Sequence, residues 1–422
     1  MSRRFEALDA LRHRDFKLFW LGQLVSLCGS MMQSATILWH VTLLCDPEHK
    51  GAALALVGAV KFVPIVVCSL LGGAVADVFD RRKLLLGLNV LLAVVAAGIW
   101  WATRQGSITL PLLYALAGVS SVLNAFEAPA RMSLVPSLVP EKHLPHAINL
   151  NMILFQGAAV AGPALSGLVM ALLGVEWCYL MNALSFLGVV LALTRMSDRG
   201  PLRGVTARVN LTSIAEGLRF VWRHDLIRSS MLLDFLATFF ASAVGLLPMV
   251  TQDVLGLGDN EAAYGWLVSA QAIGAFAASL VLAEVTPRIV PRGRVLIASV
   301  VVYGLATIAF GLTKSYALMF ACLALSGAAD TVSAVLRNLI RQLGTPDHLR
   351  GRMSSVNMIF FMGGPQLGEL EAGLVAQRFG APFSIASGGI ACVLATLWIA
   401  AKTPRLRRYQ RDDPVLEEAR AS

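Results

Sequence analysis

Charged side chains stand where they are most expensive, inside or at the ends of long apolar stretches: Lys61, Glu127, Asp234, Asp330, Glu369 and Glu371. An ionised group near the centre of a membrane helix costs about 2.5 to 3.5 kcal/mol on insertion scales, so each must be compensated or used. A desolvated carboxylate is the group type that takes up and releases a proton near neutral pH. Each residue also has a plainer reading. Lys61, about nine residues into its run, can snorkel to the interface. Asp234 sits near the end of its run and suits an interfacial or structural role as well as substrate or proton handling. Glu127 and Asp330 stand near Arg131 and Arg337, where local ion pairing accounts for them. Glu369 and Glu371 lie about 200° apart on a helix, so both cannot face one cavity.

The elements that position these groups follow from composition. The chain has 422 residues, 56% hydrophobic and 14% charged, with mean hydropathy +0.68. Twelve apolar runs have the length that a helix needs to cross ~30 Å of hydrocarbon. They are Leu18 to Leu44, Ala52 to Ala76, Leu84 to Ala102, Leu110 to Phe126, Ala147 to Leu173, Trp177 to Leu193, Met231 to Val250, Ala262 to Ala283, Val295 to Leu312, Ala317 to Leu336, Met353 to Val375 and Phe383 to Ala401. Barrel strands would alternate in hydrophobicity over ~10 residues, and these runs are apolar on nearly every side. The expected fold class is all-α, an integral membrane protein of twelve spans in two parallel six-helix bundles. The first run is too long for a secretory signal and reads as a retained span.

The net charge of +9 raises the question of nucleic acid, and the placement of the 35 Lys and Arg residues answers it. With the N-terminus inside, 30 fall in the tails and inner loops, four (Lys50, Arg104, Lys314, Arg378) in outer loops, and Lys61 within a span. That is the positive-inside distribution. It predicts an inner or plasma membrane location with both termini cytoplasmic, a lipid bilayer as the partner surface, and no nucleic acid. Six cysteines lie singly without the spacing of a metal site, and no cofactor is implied. Cys45 and Cys178 both stand near outer helix ends.

The longest polar stretch separates spans six and six. The chain is therefore expected to divide into residues 1–194, a linker at 195–230 with an amphipathic interfacial helix over Leu211 to His224, a second half at 231–401 and a tail at 402–422. An internal repeat supports this. A shift of 206 residues lays Asn151-Met152-Ile153 on Asn357-Met358-Ile359, Arg131 on Arg337, Pro140 on Pro346, Gly162 on Gly368 and Gly174 on Gly380. An offset of six spans preserves orientation, so the repeats are parallel, as in transporters that hold substrate between halves. Polar stripes recur on every third span: Gln23, Ser26, Ser30, Gln33 and His40; Ser120, Asn124, Glu127 and Arg131; Asp234, Thr238 and Ser242; Ser326, Asp330, Ser333 and Arg337. Gln23, Ser30, Gln33, Lys61, Asn124, Asp234, Thr238, Asp330, Glu369 and Glu371 are the candidates for a substrate or proton pathway.

Between spans two and three the chain reads Gly73-Ala74-Val75-Ala76-Asp77-Val78-Phe79-Asp80-Arg81-Arg82-Lys83, which resembles the signature of the major facilitator superfamily at its expected place. The match carries Gly73, Asp77, Arg81 and Arg82; Val78 and Asp80 depart from it. The resemblance implies a conformational gate at Gly73, Asp77, Arg81, Arg82 and Arg131, with Glu127 as a partner. Asn124 through Arg131, with Pro129-Ala130-Arg131, is similar to the branch containing enterobactin-type and macrolide exporters. Ala161-Gly162-Pro163-Ala164-Leu165-Ser166-Gly167 resembles an antiporter motif, with Ser166 in place of glycine. The resemblance implies a secondary transporter working by alternating access, a proton-coupled exporter of small amphipathic or hydrophobic compounds. The alternatives are an importer or facilitator of a polar metabolite and a channel-like or structural polytopic protein. No hydrolase, Walker or metalloprotease motif is present, so an enzyme is not expected.

Overall fold

The computed structural model describes residues 6–78, 80–197, 218–346, 350–411 and 413. Each of the twelve apolar runs falls on one long helix: α1 Arg14–Leu44, α2 Lys50–Val78, α3 Arg81–Arg104, α4 Leu110–Leu138, α5 Leu144–Leu173, α6 Val175–Arg195, α7 Asp225–Val254, α8 Glu261–Val285, α9 Arg292–Leu312, α10 Tyr316–Leu343, α11 Arg350–Phe379 and α12 Ala381–Lys402. Among the described residues nine helices are long and apolar enough to cross a membrane. The other three, α1, α2 and α11, have 31, 29 and 30 residues, enough to span ~30 Å at 1.5 Å per residue. No strand occurs among the described residues.

Among the described residues, α7 is interrupted. α7 is regular over Asp225–Phe240, turns at 241–243, and continues in short pieces, Val244–Leu246, Leu247–Met249 and a π-turn over Val250–Val254. Pro248 has no N–H to donate to the carbonyl one turn back, and Gly245 weakens the same turn.

Two compact units result. The first comprises Met1–Cys45, Val63–Val209 and Asn260–Ser269; the second comprises Asp46–Phe62, Asn210–Asp259 and Ala270–Ser422. Each half therefore gives up a segment at a helix start. Within the first unit, the beginning of α8 is held by Tyr264, whose hydroxyl donates to the Ala35 carbonyl at 2.8 Å and whose ring lies 4.9 Å from that of Trp39. Within the second, the beginning of α2 is held by Gln377, which accepts from the Ala52 N–H at 2.9 Å, and by Lys50, which pairs with Asp253 at 2.8 Å. The expected linker helix lies largely outside the described residues. Its last turn is described, and Phe220 and Val221 pack there with Ile227, Met231, Met353 and Val356.

The 206-residue repeat is visible inside each unit. Ala130, Leu134 and Leu193 belong to the core of the first unit, and Leu336, Ile340 and Ile399, at the shifted positions, belong to that of the second. Gly174 and Gly380 both precede a helix with positive φ, 105° and 83°, a conformation that favours glycine. Large apolar side chains such as Leu91, Val94, Leu187, Leu280, Leu305 and Trp398 remain exposed, a surface matched by lipid rather than water. Cys45 and Cys178 are not joined in a disulfide.

Helix contacts inside the second unit run through small residues. A Cβ on Gly327 of α10 would lie 1.9 Å from the Gln271 carbonyl oxygen of α8, and one on Gly274 would lie 1.7 Å from that of Ala324. Gly98 of α3, by contrast, has nothing within 4 Å. Gly327→Ala is expected to destabilise the purified protein by about 1–3 kcal/mol through overpacking. Gly98→Ala is expected to leave it unchanged or up to ~1 kcal/mol more stable through helix propensity. Thermal unfolding of the detergent-solubilised variants checks both.

Candidate functional site

α10 carries Ser326, Asp330, Ser333, Arg337 and Arg341 at intervals of four, three, four and four, which places them along one face. Arg337 is the centre of that face and is 1% exposed. Its Nη2 lies 2.8 Å from Asp234 Oδ1 of α7 and 3.4 Å from Asp330 Oδ1, and its Nη1 donates to Ser333 Oγ at 2.5 Å. Arg341 stands 3.7 Å from Asp234 Oδ2 and donates to Asn338 at 2.6 Å and to Asn357 of α11 at 2.5 Å. Two arginines and two aspartates thus cancel in charge, the condition under which such groups can be buried. The approach of Arg337 to Asp234 is an ion contact without hydrogen-bond alignment: Arg337 Nε and Asp234 Oδ1 both lack a hydrogen-bond partner.

Asp330 links this cluster to open space. Its side chain is 38% exposed and lines a cavity of about 280 Å³ at the break in α7, wholly within the second unit. Side-chain hydrogen bonds tie the break to other helices. Tyr303 of α9 donates its hydroxyl to the Ala241 carbonyl at 3.1 Å, and Ser242 donates to the Pro365 carbonyl at 3.3 Å. Thr238 also lines the cavity, with its hydroxyl turned back to the Asp234 carbonyl at 2.8 Å.

Glu369 of α11 reaches the same cavity through a gap left by two glycines. A Cβ on Gly58 would come within 3.0 Å of Glu369 Cβ, and one on Gly245 within 3.1 Å of Glu369 Cγ. Its Oε2 is buried without a hydrogen-bond partner. Glu371 is half-buried and does not line the cavity.

The first unit uses its polar residues differently. Asn182 of α6 donates to Gln33 at 2.7 Å, and His40 shares a 2.9 Å hydrogen bond with Tyr179, so this part of the α1 stripe is engaged in packing on α6. Gln23 is buried and Ser30 half-buried on the same helix. Asn124 is exposed with its amide donating to the Ser120 carbonyl at 2.9 Å. Arg131 pairs with Glu127 on its own helix at 3.3 Å. Gly73 and Asp77 fall in the last turns of α2, and their side chains lie outside the described residues. Arg81 donates to the Ser133 carbonyl at 2.9 Å, while Arg82 closes the end of α6 by donating to the carbonyls of Leu193 at 2.8 Å and Met196 at 3.1 Å. Asp80 caps α3, accepting from the N–H groups of Arg82 and Lys83. The departure from the superfamily signature is therefore a helix cap.

Arg341 and Tyr303 were not singled out from the sequence, and Asn357 only as part of the repeat. Arg341 continues the α10 stripe by one turn, and Tyr303 stands between Ser299 and Thr307 at four-residue intervals on α9, so both carried a periodic signal. Among the described residues no group of three or more His, Cys, Asp or Glu could hold a metal. Asp234→Asn is expected to leave Arg337 without its closest anion and to cost about 3–5 kcal/mol, the usual penalty for breaking a buried pair. Pairing it with Arg337→Gln should recover part of that loss in a double-mutant cycle read by thermal unfolding.

Residues 6–417 match the family described as transmembrane secretion effector, a branch of the major facilitator superfamily. The multidrug efflux pump Tap of Mycolicibacterium fortuitum is 28% identical over 384 residues, covering 85% of this chain and 90% of its own. The enterobactin exporter EntS of Citrobacter koseri is 23% identical over 408 residues, covering 96% of each. A bacterial homologue of the human lysosomal transporter Spinster superposes with a TM-score of 0.72 at 13% identity, over 94% of this chain and 99% of that one. A bacterial homologue of the iron transporter ferroportin gives 0.70 at 15% identity, over 94% and 99%. These two likenesses establish the fold. The chain belongs to the transmembrane secretion effector family, and it is a multi-pass major facilitator transporter rather than an enzyme.

Proposed function

We propose that this transporter exports small amphipathic or hydrophobic compounds by alternating access, in exchange for protons, across the inner membrane of a bacterium, with both termini in the cytoplasm. The observation that carries the reading is the cavity of the second unit, where Asp330 and Glu369 meet an otherwise uncharged wall. Desolvated carboxylates at a polar cavity are the chemistry that proton coupling requires. Exporters among the relatives support the direction. The charge distribution supports the orientation.

In this reading residues 1–194 and 231–401 are the two moving halves. Gly73, Asp77, Arg81 and Arg82, with Glu127 and Arg131, form the latch that holds one state. Arg81 supports this role through its bond to the α4 backbone at Ser133, next to the Glu127 and Arg131 pair. A change in the α2–α3 connection would thereby reach α4.

Purified protein in proteoliposomes, given a panel of lipophilic compounds with and without an imposed pH gradient, tests direction, coupling and class together. Saturable accumulation that disappears when an ionophore collapses the gradient is expected, and Glu369→Gln is expected to reduce it at least tenfold. Unsaturable flux, or accumulation indifferent to the gradient, would overturn the reading.

A further inference from the structure

The chemistry of the cavity narrows what it can hold. It draws its walls from α7, α8, α9, α10 and α11 of the second unit alone. Its ionisable lining is two carboxylates, the Tyr303 phenol and the Cys322 thiol, with no lysine, arginine or histidine. Asp330 is held on one side by Arg337 at 3.4 Å, while Arg337 makes its shorter contact, 2.8 Å, with Asp234. Glu369 has no ion pair within 4 Å among the described residues, and its Oε2 has no hydrogen-bond partner. A buried polar atom without a partner is costly, and a cation placed beside it removes that cost.

The rest of the lining is suited to the body of such a cation. Ala306, Phe310 and Leu323 supply apolar surface, and Tyr303 and Phe310 supply aromatic rings, a group type that attracts positive charge. About 280 Å³ lies at the lower edge of the range for small-molecule pockets. Bulky or anionic compounds do not fit this combination of size and charge.

We infer that the cavity inside the second unit is a binding site for small organic monocations, amines with one aromatic or aliphatic body, whose charged head lies between Asp330 and Glu369. The inference rests on the export reading for its purpose and on the cavity alone for its chemistry. The glycines at 58 and 245 are what allow the Glu369 side chain to stand at the cavity wall.

The test uses benzyltrimethylammonium, a permanent cation, and its neutral isostere neopentylbenzene, with the full-length protein in nanodiscs. Radiolabelled cation is expected to bind at one site per chain and to be displaced by unlabelled cation but not by the isostere. Glu369→Gln and Asp330→Asn are each expected to weaken binding at least tenfold. Ala306→Leu, which fills the cavity and leaves both carboxylates, is expected to abolish it. Equal displacement by the isostere, unchanged affinity in a folded carboxylate variant, or undiminished binding in the filled variant would each overturn the site, as would absence of binding to the parent protein. Should a carboxylate variant fail to fold, the filled variant decides. Gradient-driven transport of neutral compounds without cation binding would sink this inference and leave the export reading standing. Cation binding without transport of any compound would do the reverse.

Discussion

Burial of the Arg337 guanidinium is the constraint from which the second unit takes its arrangement. At 1% exposure it has no water to solvate it, and its charge must be met by protein. Asp234 brings α7 to it, Asp330 and Ser333 come from its own helix, and Arg341 extends the network through Asn357 to α11. Three helices are thereby fixed at one level. The break in α7 lies about two turns beyond Asp234, and the cavity opens there. Asp330 belongs to both features, so the charge balance of the cluster and the chemistry of the cavity are not independent.

The repeat shows how little change separates a local pair from a network. Arg131 and Arg337 occupy the same place in the two halves. In the first unit the partner is Glu127, one turn away on the same helix, at 3.3 Å with the arginine side chain 23% exposed. In the second, position 333 holds serine, and the nearer anion is Asp234 from another helix, with Asp330 of the same helix farther off. A pair within one helix costs little entropy and fastens nothing else. A pair between helices locks their separation and register.

Much of this was legible in the residues. Apolar run length gave twelve helices, and the α10 stripe placed Ser326, Asp330, Ser333 and Arg337 on one face. Local ion pairing was the plainer reading of Asp330 and Glu127, and both make such pairs. The stripe on α1 misled in part. Periodicity shows that Gln33 and His40 share a face and is silent on what that face meets, here Asn182 and Tyr179 of α6. Asp80 seemed a loss from a known signature and proved to be the cap of α3.

Sequence alone therefore determined the solvent, the helix count and the repeat, because each depends on hydrophobicity summed along a local stretch or on identity at a fixed offset. Tertiary structure decided which polar groups are spent on each other and which remain free. Glu369 and Glu371 are two residues apart and alike in composition, yet one enters a gap between Gly58 and Gly245 at the cavity and the other does not. That difference depends on side chains brought together from three helices distant in the chain, and no local pattern contains it.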